Sequence, residues 1–170
     1  PRIAWSISHL KGECTMDSYR CKDNGCHHPD HGCHHPCTDH GPKPYCSNIM
    51  CEAWQNKNFR TAFRTGCYLQ MTLMNIPVCG EVGLEMHPDT DQYIRVEGGQ
   101  AVVTMGRCKE HMNLQYRLTM GDAIFVPAGT WHNVRNGGRC PLKLSSVYAP
   151  PHHPWGTVQH TKEDAEQGEH

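Results

Sequence analysis

From residue 58 onward the chain is written in short runs of alternating apolar and polar residues, separated by Gly, Pro, Asn and Asp. Successive side chains of a strand point to opposite faces, so each run buries one face and wets the other. Many such runs in series leave an antiparallel sandwich or barrel as the architecture that hides every apolar face. LQMTLM, residues 69–74, puts Leu69, Met71 and Leu73 on one face. EVGLEMH, residues 81–87, reads as a strand with Val82, Leu84 and Met86 on one face and Glu85 and His87 on the other. QYIRVEGGQAVVTMG reads as a hairpin bent at Glu97-Gly98-Gly99, and AIFVPAGTWHNVRN as a second tight pair turned by Pro127-Ala128-Gly129. PLKLSSVYAP supplies a further strand before the Pro and His stretch APPHHPWG, where His152 and His153 read as a solvated surface pair. Met71, Met74, Met86, Met105, Met112 and Met120 are spread over the runs and read as core filling rather than soft copper ligands. HPDTD, residues 87–91, reads as a polar turn.

Residues 1–57 are of another kind. Seven of the chain's 11 cysteines, Cys14, Cys21, Cys26, Cys33, Cys37, Cys46 and Cys51, fall here, and GCHHPDHGCHHPC repeats the block Gly-Cys-His-His-Pro. Between Cys14 and Cys51 the appreciable apolar side chains are Met16, Tyr19, Tyr45, Ile49 and Met50, too few to offset an ordering cost of roughly 1–2 kcal/mol per residue. Order in this Cys/His-rich arm therefore requires a metal, disulfides or neighbouring subunits. No pair has the C-x2-C spacing of zinc ribbons and iron–sulfur sites, which disfavours both. A looser zinc or copper site remains open. So does covalent fastening, since an odd number of cysteines cannot pair completely within one chain. The organisation read from the sequence is an irregular arm over 1–57 with one short helix near 48–55 capped by Ser47, a β-domain over 58–159, and a polar acidic tail over 160–170. In that tail Thr161 and Asp164 offer one helical turn, but a solvated end is expected.

The balance of 16 Lys and Arg against 17 Asp and Glu, with no basic cluster, argues against a nucleic-acid partner. No run approaches the ~20 apolar residues of a membrane helix, and the start lacks an apolar signal core. The chain begins at Pro1 without Met and reads as a processed or partial product. A disulfide-bonded arm would imply a cell or spore surface or an extracellular place, and a reduced arm the cytoplasm.

The most specific pattern is GDAIFVPAGTWHNVRN, residues 121–136, with the spacing G-x5-P-x-G-x2-H-x3-N. It resembles the second signature motif of the cupins, all-β proteins whose double-stranded β-helix is a small jelly-roll barrel. The first cupin motif, usually H-x-H-x3,4-E-x6-G, departs here. His87 in the first slot puts Tyr93 or Ile94 in the acidic slot, which fails. His87 in the second slot gives Glu85, His87, Gln92 and Gly99 at the full spacing. The resemblance then implies a metal site of Glu85, His87, Gln92 and His132. Imidazole and oxygen donors suit a divalent transition metal, Zn, Fe, Mn or Ni, although an amide in place of a carboxylate weakens the set. A site without metal, its polar groups bonded to one another or to water, is the alternative.

NFRTAF, LTMGDAIFVPAGTWHNV and YAPPHHPWGTV are similar to a subgroup of small bacterial cupins described as like mannose-6-phosphate isomerase. Fold-level likeness transfers no reaction, and Glu85 with Tyr148 is not a convincing acid–base pair. Two functions are therefore expected. One is a metal-binding cupin with a small polar, sugar-like ligand and no assured catalysis. The other is a structural, self-assembling coat, shell or fibre subunit cross-linked through its arm. Either is expected to associate with itself, as a homodimer or a larger assembly.

Overall fold

The computed structural model describes residues 39–167. Cys14, Cys21, Cys26, Cys33 and Cys37 lie outside the described residues. Cys46 is exposed on the segment before the first helix, in no disulfide, and Cys51 lies in that helix. The readings of the arm as a metal site or a disulfide framework thus fall outside what the structure describes. Among the described residues no helix is long and apolar enough to cross a membrane.

The elements in chain order are α1 (Ile49–Gln55), β1 (Arg60–Thr65), β2 (Gln70–Ile76), β3 (Asp91–Gly98), β4 (Gln100–Gly106), β5 (Leu114–Thr119), β6 (Ala123–Val126), β7 (Trp131–Asn136), β8 (Leu142–Ala149), β9 (Val158–Gln159) and α2 (Lys162–Gln167). Two antiparallel sheets form, a six-stranded one ordered β6-β3-β8-β2-β1-β9 and a three-stranded one ordered β5-β4-β7. The all-β jelly-roll expected from the alternating runs is what the chain adopts.

β2, β3, β4, β6, β7 and β8 lie where the sequence suggested, but the pairing differs. β3 and β4 do not form a hairpin: β3 pairs with β6 and β8, whereas β4 pairs with β5 and β7. β6 and β7 are likewise divided between the two sheets. The bends at Gly98-Gly99 and at residues 127–130 are corners where the chain changes sheet. Gly98 is required at the first, because a Cβ there would stand 2.4 Å from Trp54 Cζ2, and Gly99 adopts φ +85°. At the second, Thr130 N–H donates to the Pro127 carbonyl and Ala128 N–H to Asp91 Oδ1, closing the turn.

A single strand can also face two environments. The inward side of the large sheet, with Met74, Ile76, Ile94, Val96, Leu142 and Leu144, meets Val103 and Val134 of the small sheet in the main core. Met71 and Leu73 share a face as expected, but it is the outer one, covered by α1 through Ile49 and Ala53. Leu69 is exposed beyond the strand's start. The N-cap of α1 is Asn48, whose side chain accepts from Cys51 N–H, and Ser47 instead bonds Glu52 at 2.5 Å. The expected solvated tail is a helix: Asp164 accepts from the Thr161 and His160 N–H groups, and Ala165 is buried in the main core.

Residues 81–87 do not form a regular strand. They touch β7 through two isolated bridges, Glu81 to Arg135 and Glu85 to His132. Gly83, at φ +117°, breaks the ladder and donates its N–H to the Asn133 side chain. Val82 therefore packs on the core while Leu84 points outward, 45% exposed.

Candidate metal centre

The bridge between Glu85 and His132 is what builds the site. Glu85 N–H donates to the His132 carbonyl at 3.0 Å and His132 N–H to the Glu85 carbonyl at 2.9 Å, so the two residues stand face to face across the barrel rim. Two residues on, the His87 carbonyl accepts from Gly129 N–H at 2.8 Å, which ties His87 to the corner preceding β7. One donor atom each from Glu85, His87 and His132 comes within 4.8 Å of the others.

His132 is buried to 1% exposure and its Nδ1 lies 3.0 Å from the Thr130 carbonyl. A carbonyl can only accept, so Nδ1 carries the proton and Nε2 presents a bare lone pair. That lone pair faces Glu85 Oε1 at 3.5 Å, and His87 Nε2 faces the same oxygen at 3.6 Å. Both Nε2 atoms are buried without a hydrogen-bond partner. Two imidazole nitrogens converging on one carboxylate oxygen, at distances too long for a good hydrogen bond, fit a cation held between them. Burial works against ionisation of Glu85 more than any other single influence. The Arg60 guanidinium beside it favours the charged carboxylate.

Gln92, near the start of β3, is buried, and its amide nitrogen donates to Ser146 Oγ at 2.9 Å. That bond leaves Oε1 without a partner, the orientation an oxygen donor needs. Across the sheet Gln92 is paired with Tyr148, whose ring packs against His87 at 5.6 Å between centroids. Glu85, His87 and His132 thus come together, and Gln92 sits on the same inner face one strand pair away.

Several residues at this end were not expected from the sequence. His152 stays exposed as expected, but His153 is half-buried, and both rings pack on this end of the barrel. Their N–H groups both donate to Gln70 Oε1, His152 packs on His87 at 4.1 Å between ring centroids, and His153 packs on Tyr148 at 5.0 Å. Burial, then Arg60 and His152, push the His153 imidazole down to about 3, so it is neutral at physiological pH. Burial likewise pushes the Tyr148 phenol up to about 12. Arg60, 1% exposed at the start of β1, stands 3.9 Å from Glu85 Oε2. Nothing in the alternation of NFRTAF distinguishes it from a surface arginine. An open cleft of about 1000 Å³ leads to Glu85 and His87, with His152, Lys109 and Trp131 on its walls. Lys109 Nζ lies 4.5 Å from the Trp131 ring centroid.

The comparisons with known proteins agree with the fold. The model of the cupin domain matches residues 72–148. The uncharacterized protein YrkC of Bacillus subtilis is 53% identical over 127 residues, 75% of this chain and 68% of that protein. The uncharacterized protein L612 of Acanthamoeba polyphaga mimivirus is 36% identical over 115 residues, 67% of this chain and 70% of that protein. Among solved structures, that of BH2720 from Bacillus halodurans is 52% identical, covers 76% of this chain and 98% of its own, and superposes with a TM-score of 0.76.

Proposed function

Since the chain belongs to the cupin family, we propose that its barrel holds one divalent transition metal through Glu85, His87 and His132. Gln92 Oε1 serves as a further oxygen donor, and a small polar ligand is admitted from the cleft. The observation that carries this reading is the convergence of His87 Nε2 and His132 Nε2 on Glu85 Oε1, buried and without hydrogen bonds of their own. A bound ion would supply Lewis-acid polarisation of a ligand oxygen.

The protein's own groups do the rest. Thr130, through its carbonyl, fixes the His132 tautomer, and Gln70 fixes the strand end that carries His152 and His153 beside His87. Zn, Fe, Mn and Ni all suit two imidazoles with oxygen donors. Catalysis is not part of the proposal.

Metal analysis of the purified protein tests it. About one metal per chain is expected in the wild type, and His132→Ala should lose it. Stoichiometric metal in His132→Ala would overturn the donor assignment.

A further inference from the structure

The turn that joins β4 to β5, residues 107–113, carries a thiol and an imidazole in contact. Cys108 Sγ lies 3.2 Å from His111 Nδ1, within hydrogen-bond reach of a sulfur. The backbone is shaped to bring the two together. His111 N–H donates to the Cys108 carbonyl at 3.1 Å, which folds the chain back within three residues. Gly106, the last residue of β4, permits that return, because a Cβ there would stand 1.9 Å from the His111 carbonyl oxygen. Between the pair in sequence, Lys109 reaches to the face of Trp131 on β7 and forms part of the wall of the cleft that leads to Glu85 and His87. The thiol therefore stands at the margin of that cleft, one residue from its wall.

Exposure alone would not single out Cys108. Cys46, Cys67 and Cys79 are exposed, whereas Cys108 is half-buried. Among the described residues, however, none of those three is hydrogen-bonded to an imidazole, and Cys108 is. Sulfur attacks as the thiolate, and an imidazole nitrogen facing the S–H is a base placed to receive its proton.

We propose that Cys108 is a modification site for low-molecular-weight disulfides, with His111 as its general base. The Cys108 S–H gives its proton to His111 Nδ1 as the sulfur attacks one sulfur of the disulfide. A new S–S bond forms while the old one breaks, and the departing thiolate takes the proton back from the imidazolium. One disulfide is consumed, one mixed disulfide and one small thiol result, and no further oxidant is needed. The half that stays bound lies beside Lys109, at the entrance of the cleft, where it narrows the approach to the barrel site. The proposal does not depend on the metal reading above.

The test uses the full chain, reduced and then freed of reductant, with oxidised glutathione as the probe. Peptide mass spectrometry over time reads the modification of each cysteine separately, so the cysteines of the arm do not enter the comparison. Cys108 should react about tenfold faster than Cys46, Cys67 or Cys79 despite its lower exposure. His111→Gln keeps a polar side chain but offers no base. It should bring Cys108 down to the rate of those three cysteines and leave their own rates unchanged. Modification of Cys108 no faster than that of the three in the wild type, or an unchanged Cys108 rate in His111→Gln, would overturn the proposal. His111 is exposed and outside the core, and should the variant nevertheless misfold, the ranking of the four cysteines in the wild type decides alone.

Discussion

The same three strands build two unlike ends of one barrel. At one end the cross-strand rows are apolar, with Ile76 opposite Leu142, and Met74 and Val96 flanking Leu144. One row further the side chains turn polar, with Thr72 and Ile94 flanking Ser146, and in the next Gln70 and Gln92 flank Tyr148. Among the described residues, the buried side-chain polar atoms without a partner, Asn75 Oδ1 and Arg60 Nε apart, belong to the polar end. Each such atom costs about 1–3 kcal/mol in the free protein. The apolar end supplies the stability, and the polar end is left incomplete by groups that suit a ligand.

The largest expected effect breaks the apolar end. Leu144 is 1% exposed at the centre of the large sheet, and Leu144→Ala should cost about 2–5 kcal/mol in urea denaturation. Metal stoichiometry in the folded fraction should be unchanged. Loss of metal without loss of stability would show that the two ends are not separable in this way.

A polar group that is fully satisfied should behave unlike the orphans of the site. Asp39 is buried beside β1 and accepts from Thr65 N–H at 2.8 Å, Thr65 Oγ1 at 2.5 Å, Gly41 N–H at 2.9 Å and Gly156 N–H at 3.2 Å. Burial opposes its ionisation, but these bonds outweigh burial and hold the carboxyl below its ordinary range. Folding thus favours the charged form. Its stabilisation is complete above the unfolded value of about 4 and is lost as the pH falls through the folded value. Asp39→Asn should cost about 1–2 kcal/mol at pH 7 and progressively less below about pH 4, measured by urea melts across that range. A cost independent of pH would contradict the clamp.

Thr72→Val sharpens the comparison at the polar end, with the smallest effect and the opposite sign. The Thr72 hydroxyl is fully buried and unpartnered, so its isosteric replacement should raise the stability of the metal-free protein by about 1 kcal/mol. A loss of stability would mean that the hydroxyl has a partner in solution.

Which parts of this were legible in the sequence follows from how local each signal is. Most strand positions and the turns at Gly98-Gly99 and Pro127-Ala128-Gly129 lie within runs whose alternation and turn residues speak for themselves, whereas His132 was reached through the motif shared with the cupins. Glu85 and His87 were reached through motif spacing, although the strand assumed for them is broken by Gly83. Pairing was not legible, because a turn signal says that the chain reverses and not that it changes sheet. β5 went unremarked since nearly all of it is exposed and shows no buried alternation. Helix α2 was masked by an acidic segment in which one small residue, Ala165, reaches the core. Arg60 joins the site from the first strand of the domain, and no local pattern marks an arginine as inward-facing.

The claim that the polar end is built to hold a metal is most directly tested by an anomalous difference map from crystals of the full chain grown with Co²⁺. The account predicts one strong peak among His87 Nε2, His132 Nε2 and a Glu85 carboxylate oxygen, at about 2.0–2.2 Å from each. Ordered water hydrogen-bonded between these atoms, with no anomalous signal at saturating cobalt, would contradict it.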